Sequence, residues 1–306
     1  MKKSKIFILI TILIFTLVSN IFVVNAQADD IAMNGVYVGD GSENFSDILD
    51  QESKIQSNDI VARKQKLAHE YALAKKSKDL KKIEMIFNEL DTLNNKVGAR
   101  TFDSKVVNNI LREYMNYIPI VQMPQDRNYY CGYACIQAIL NYNNISKDQQ
   151  TIAIEVWNRP NNSCPWYLID GSTLDQYVAA TYLTSKLNHI YTPYPFGPVG
   201  TPTNSSAFVE KVCMTLDYTN NAIMIAGESH PSGPSHLPNY PSNATIRHWM
   251  VINGWTNNPN IIGGINFNYV DPAKSPVISW SGQISAYGVS TSNNLYEFSK
   301  ALGILY

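Results

Sequence analysis

Charge is distributed so unevenly along this chain that it divides the chain before any motif does. Of the 24 Lys and Arg residues, 16 lie at or before Arg112 and 8 lie after it. From about Tyr117 onward the sequence is rich in Tyr, Trp, Asn, Ser and Pro and carries few charges, over a length that suits one compact domain. The four cysteines, Cys131, Cys135, Cys164 and Cys213, are too sparse to staple a chain of 306 residues. Folding must therefore rest on an apolar core, which a hydrophobic content of 45% can supply.

The N-terminus begins with Lys2, Lys3 and Lys5, continues as an apolar run from Ile6 to Val24, and ends at the small residues Ala26 and Ala28. This pattern predicts a secretory signal over residues 1–28, either cleaved or kept as an N-terminal anchor, since the run approaches bilayer-spanning length. The rest of the chain is then expected outside the cell, secreted or held at its surface, with no further membrane insertion. That compartment permits disulfides. A formal net charge of -1 gives no electrostatic case for a nucleic-acid partner.

Residues 29–116 carry the charge. The stretch RKQKLAHEYALAKKSKDLKKIEMIFNELDTLNNKV predicts two helices joined near Ser77 to Asp79, with Leu67, Tyr71 and Ala74 on one apolar stripe and Leu80, Ile83, Phe87 and Leu90 on another. Their lysines form a solvated face. No catalytic motif falls here, so the segment is expected to be a pro-segment or a spacer, with a cleavage region near Thr101 to Lys105. In residues 117–306, helices are predicted at 131–142, 147–157, 173–186 and 205–217. Strands follow at 221–228, 248–255 and 263–272. Helices early and strands late predict an α+β fold rather than alternating βαβ units.

The stretch QDRNYYCGYACIQAIL, Gln125 to Leu140, raises the chemical question. Cys131 opens a segment of helical spacing, and a thiol at a helix N-terminus ionises more readily, most of all beside a protonated histidine. Cys135 lies one turn deeper and Cys213 on the apolar stripe of Val209, Val212 and Leu216, so both read as structural. Cys164 sits in a loop, and Cys135 with Cys164 is a candidate disulfide. Of the five histidines, His69 lies in the charged helices, His189 follows a helix, and His230 and His236 lie in a Pro/Gly/Ser loop. His248 alone opens a strongly alternating strand, HWMVINGW. This strand and GGINFNYVDP are joined by TNNPNII, which predicts an antiparallel hairpin. A turn centred on Pro259 and Asn260 sets His248 opposite Asp271, within reach of a cross-strand hydrogen bond. No metal-ligand spacing is present, and no organic cofactor is implied.

Gln125, the CG at Cys131 and Gly132, HWMVINGW from His248 and the VDP that contains Asp271 together resemble the papain-like cysteine peptidases related to the bacteriocin-processing (double-glycine leader) peptidases, in a secreted stand-alone form. The resemblance runs from about Ile118 to Tyr306. It implies a nucleophile helix packed on a C-terminal antiparallel sheet, with Cys131 as nucleophile, His248 as proton carrier and Asp271 as its orienting acid. It also implies Gln125, six residues before the cysteine, as oxyanion donor; Gln122, nine before it, does not fit. CGYAC departs from the family, where proline more often follows CG. The expected partner is a peptide or protein substrate. A transglutaminase-like acyltransferase, a cell-wall amidase and a non-catalytic binding module of the same fold are the alternatives.

Overall fold

The computed structural model describes residues 36–38, 58–96, 115–158, 160–161, 175–187, 189–194, 205–257, 264–300 and 302–306. The predicted signal at 1–28, the Thr101 to Lys105 linker and Cys164 lie outside the described residues. The chain forms a mixed fold of helices and a largely antiparallel sheet. Its helices are α1 (Asn58–Ser77), α2 (Leu80–Lys96), α3 (Cys131–Tyr142), α4 (Gln149–Trp157), α5 (Asp175–Lys186), α6 (Ser205–Thr219) and α7 (Ser292–Ser299). The strands are β1 (Val36–Val38), β2 (Met115–Tyr117), β3 (Pro193–Tyr194), β4 (Ile223–Ser229), β5 (Thr245–Asn257), β6 (Ile265–Val270), β7 (Tyr287–Thr291) and β8 (Gly303–Leu305).

These strands join one sheet in the order β3-β8-β4-β5-β6-β7, with β1 and β2 also paired to β5. All pairings are antiparallel except that of β1, which runs parallel to Thr245–Arg247. The long β5 is thus the spine of the molecule, and α3 packs against it. Local chemistry marks several element ends. Lys78, at a left-handed φ of 56°, turns α1 into α2, and the Asp79 carboxylate accepts from the Lys82 N–H to cap α2. Asp148 caps α4 and Thr291 caps α7 in the same way.

The join between α1 and α2 falls where the sequence predicts it. Leu67, Tyr71, Ala74, Ile83, Phe87 and Leu90 are buried, but Leu80, at the first position of α2, is 52% exposed and does not belong to the apolar stripe. The hairpin of helices shares one continuous apolar core with the rest of the chain. Residues 273–306, which carry no strong periodicity, add β7, α7 and β8, so one helix comes late. At Gly227 the α7 backbone comes so close that an added Cβ would sit 2.3 Å from the Phe298 carbonyl oxygen. Gly227→Ala must push α7 off β4 and is expected to destabilise the fold by roughly 1–3 kcal/mol, read from denaturant unfolding.

Candidate active site

Cys131 is the first residue of α3, so its backbone N–H belongs to the group that has no acceptor inside the helix. The preceding Tyr130 supplies no side-chain cap. Tyr130 instead packs edge-on against Tyr133 at 4.7 Å and donates its hydroxyl to the Pro160 carbonyl. Tyr133, where the resemblance favours proline, is a fully buried ring beneath the helix entry.

His248 lies on β5, and its Nε2 is 2.8 Å from Asp271 Oδ1. The imidazole also hydrogen-bonds the Cys131 side chain. With Nε2 on the acid, Nδ1 is the nitrogen left for the thiol. Burial alone would lower the histidine's affinity for a proton, but Asp271 and then Cys131 outweigh it and push the pKa up to about 9. That shift favours the protonated ring near neutral pH.

His248 and Asp271 meet, although not in the predicted register. The observed hairpin pairs Trp255 with Phe267 and Val251 with Val270, with a shift between Ile252 and Gly254. That shift is a β-bulge at Asn253, and the pairs on both sides of it depart from the predicted register; the predicted turn at Pro259 and Asn260 lies outside the described residues. Continued to its end, the register sets Asp271 across from Met250, two residues from His248. Positions two apart lie on one face of a strand, so the diagonal pair still closes. The bulge residue Asn253 donates its side-chain amide to the Ile118 carbonyl and accepts the Ile118 N–H at its own carbonyl.

The Asp271 carboxylate is held at both oxygens. Oδ1 accepts from His248 and from the Ala273 N–H at 2.9 Å. Oδ2 accepts from the Tyr240 hydroxyl at 2.6 Å. The segment from Ile118 to Gln125 is stitched along the acid's turn: Gln122 Nε2 donates to the Asp271 and Lys274 carbonyls, Gln125 N–H to the Pro272 carbonyl, and Ser275 Oγ to the Gln125 carbonyl. Gln125 Nε2 spends its two hydrogens on the Arg127 and Asn128 carbonyls, each at 2.7 Å. Its Oε1 is buried with no hydrogen-bond partner among the described residues.

The remaining candidates stand apart from this cluster. His69 is exposed beside Glu210, and His189 is buried edge-on to Tyr191 at 4.7 Å. His230 contacts Thr245 and His236 contacts the His230 carbonyl. Cys135 is a free, buried thiol, not the disulfide half that the sequence offers as a partner for Cys164; burial pushes its pKa well up, with Cys131 and Asp271 adding to it. Cys213 is likewise pushed up to about 12, first by burial and then by Asp217. Among the described residues, no group of His, Cys, Asp and Glu is arranged to hold a metal ion, and no helix is long and apolar enough to cross a membrane.

Tyr240, Gln122 and Ser275 are the members of the cluster that sequence reasoning does not reach. Tyr240 arrives through the β4–β5 loop, whose Pro, Gly and Ser residues give no periodicity. Gln122 is visible in the sequence, but only the fold shows that it binds the acid's backbone.

Cys131, His248 and Asp271 are each at most 1% exposed. The thiol is closed off from solvent in this conformation, so contact with a polypeptide requires opening. A family model described as the Peptidase_C39 like family matches residues 114–295. No curated protein matches the chain, and no solved structure does.

Proposed function

The chain belongs to the peptidase C39-like family, and from that premise we propose that it is a secreted cysteine peptidase of papain-like arrangement, hydrolysing peptide bonds through a thioester on Cys131. The family suggests cysteine peptidase activity. The observation that carries the reading is the buried imidazole of His248, engaged by Asp271 on one side and by the Cys131 side chain on the other. A core histidine needs neither a thiol partner nor an acid, and this one has both.

In this mechanism the Cys131 thiolate attacks the carbonyl carbon of the scissile bond. The Cys131 backbone N–H and Gln125 stabilise the resulting oxyanion. The His248 imidazolium gives its proton to the departing amine as the C–N bond breaks, leaving the acyl group on sulfur. Neutral His248 then takes a proton from water, which attacks the thioester; the acid product leaves and the thiolate–imidazolium pair returns. Asp271 holds the ring throughout. Gln125 must surrender one of its two loop carbonyls to reach the oxyanion, because both amide hydrogens are committed in the resting structure.

A peptidyl electrophile is expected to label Cys131 alone among the cysteines, and a peptide library should yield two products per bond cut. Incorporation of an added amine in place of water would favour an acyltransferase. Release of soluble peptidoglycan fragments would favour an amidase. An unreactive Cys131 would leave only a binding module.

The raised histidine pKa gives a pH dependence with a definite sign. A proton held up to about pH 9 is available to the leaving amine below that value and lost above it. The rate constant kcat/KM is therefore expected to fall as pH rises through about 9, and Asp271→Ala should move that fall to lower pH, because it removes the largest influence raising the histidine's pKa. An alkaline limb unchanged by Asp271→Ala would sink the pairing.

Secretion belongs to the same proposal and rests on residues 1–28; fractionation of cells expressing the chain with and without them tests it. For residues 29–116 the reading is twofold. Helices α1 and α2 serve as a structural part of the catalytic domain. Strand β1 limits access, since it pairs with Thr245–Arg247, the residues just before His248.

A further inference from the structure

We propose that Tyr240 is a positioning residue of this site, acting on His248 through Asp271; the inference rests on the peptidase reading above. Tyr240 comes from the loop between β4 and β5, and it is 4% exposed. Its hydroxyl donates to Asp271 Oδ2 at 2.6 Å while His248 engages Oδ1. The carboxylate is thus fixed between a phenol and an imidazole, and it cannot rotate without breaking one of the two bonds.

The loop is built to hold this phenol. Leu237 is fully buried and its N–H donates to Ser229 Oγ at 2.9 Å. Asn294 of α7 donates to the Pro234 and His236 carbonyls, and the Tyr240 N–H donates to the Leu237 carbonyl. The Tyr240 ring lies 5.1 Å from the Trp280 ring and 6.2 Å from the His248 ring, so aromatic packing fixes the direction of the hydroxyl. Burial, then the Asp271 charge, push the phenol's pKa well above its ordinary value. Tyr240 therefore remains a hydrogen-bond donor across the working range. Without it, a buried carboxylate oxygen would lose its only side-chain donor among the described residues, and the ring that carries the proton would lose its fixed orientation.

The test uses the full chain and two readouts: the rate of Cys131 alkylation by iodoacetamide at neutral pH, followed by mass spectrometry, and kcat and KM on a peptide that the parent cleaves. Tyr240→Phe keeps the ring and removes one oxygen. It is expected to lower both the alkylation rate and kcat by roughly tenfold at unchanged KM. In an Asp271→Ala background the same change should cost less than about twofold, because the residue acts through the acid. Site-specific 3-fluorotyrosine at 240, which keeps the donor and the packing, should retain the parental rates. An equal loss in both backgrounds, or a loss of Cys131 reactivity only together with the cooperative unfolding transition, would assign Tyr240 to packing and overturn the proposal. Parental rates in Tyr240→Phe would overturn it as well. If the parent cleaves no peptide while alkylation still follows the Tyr240 and Asp271 pattern, the hydrolytic reading fails and the positioning role stands.

Discussion

Cys131→Ala is expected to lower peptide hydrolysis by on the order of 10⁴-fold or more while leaving the thermal unfolding transition close to that of the parent. The size of the loss follows from the chemistry. No other described cysteine can take over, because burial holds both Cys135 and Cys213 as neutral thiols, and only a thiolate attacks a carbonyl well. The small effect on folding follows from position. Residue 131 is the first of α3, alanine favours helix, and the sulfur removed is one atom of a large core. Cys135→Ala is the matching control: it leaves the His248–Asp271 pair untouched and should keep most activity, with a modest stability loss from the vacated space. Since Cys131 is fully buried, its alkylation in the parent also measures how often the site opens. Turnover of Cys131→Ala within tenfold of the parent would end the nucleophile assignment.

Much of this site can be read from sequence because its chemistry sits in or beside strongly apolar elements: Cys131 at the start of α3, His248 near the start of β5, and Asp271 just past the end of β6. The helix that opens at Cys131 and the apolar run behind His248 are local signals, and both elements form, although β5 starts three residues before His248 and is buried on both faces from His248 to Trp255 rather than on alternate positions. The register between β5 and β6 is not local. It depends on a bulge at Asn253 that is secured by Ile118, more than 100 residues earlier, and no spacing rule within the hairpin encodes it. The diagonal meeting of His248 with Asp271 survives only because strand positions two apart share a face. Tyr240 illustrates the limit most clearly. Its role is set by a loop whose shape depends on Ser229 and Asn294, so nothing within a few residues of it announces a partner for the acid. The final segment escaped for a related reason: β7, α7 and β8 are short, and they take their structure from neighbours already in the sheet.

Asp217→Ala is expected to destabilise the whole chain by roughly 2–4 kcal/mol, because it removes the acceptor of three uncharged donors, the Tyr71, Asn116 and Trp255 side chains, and takes the counter-charge from the partly buried Lys75 ammonium. Asp217 is 2% exposed on α6, and four donors from three other elements converge on it. The Tyr71 hydroxyl reaches Oδ2 at 2.6 Å and the Lys75 ammonium binds the same oxygen. Asn116 Nδ2 and Trp255 Nε1 reach Oδ1 at 3.0 and 2.9 Å. The carboxylate therefore ties α1 to α6, β2 and β5, and Lys75 also lies 4.2 Å over the Trp255 ring. Around this tie the hairpin is sealed by apolar and aromatic contact, with Phe87 between Tyr71 and Tyr218 at 5.7 and 4.9 Å. Lys64, 1% exposed and so not part of the solvated lysine face that the sequence predicts, anchors the near end of α1 to the Ile190 and Tyr306 carbonyls. A detachable inhibitor would not be expected to share a continuous core and a four-donor carboxylate with the domain it inhibits. Removing residues 29–114 should then produce an aggregating or molten chain rather than a faster peptidase, whereas removing 29–45, which carries β1, should leave folding intact and raise the alkylation rate of Cys131. Denaturant unfolding of Asp217→Ala and Asp217→Asn separates charge from shape, with the amide expected to cost less because it keeps one acceptor. A soluble, cooperatively folding 115–306 chain as active as the parent would refute the structural assignment of the hairpin.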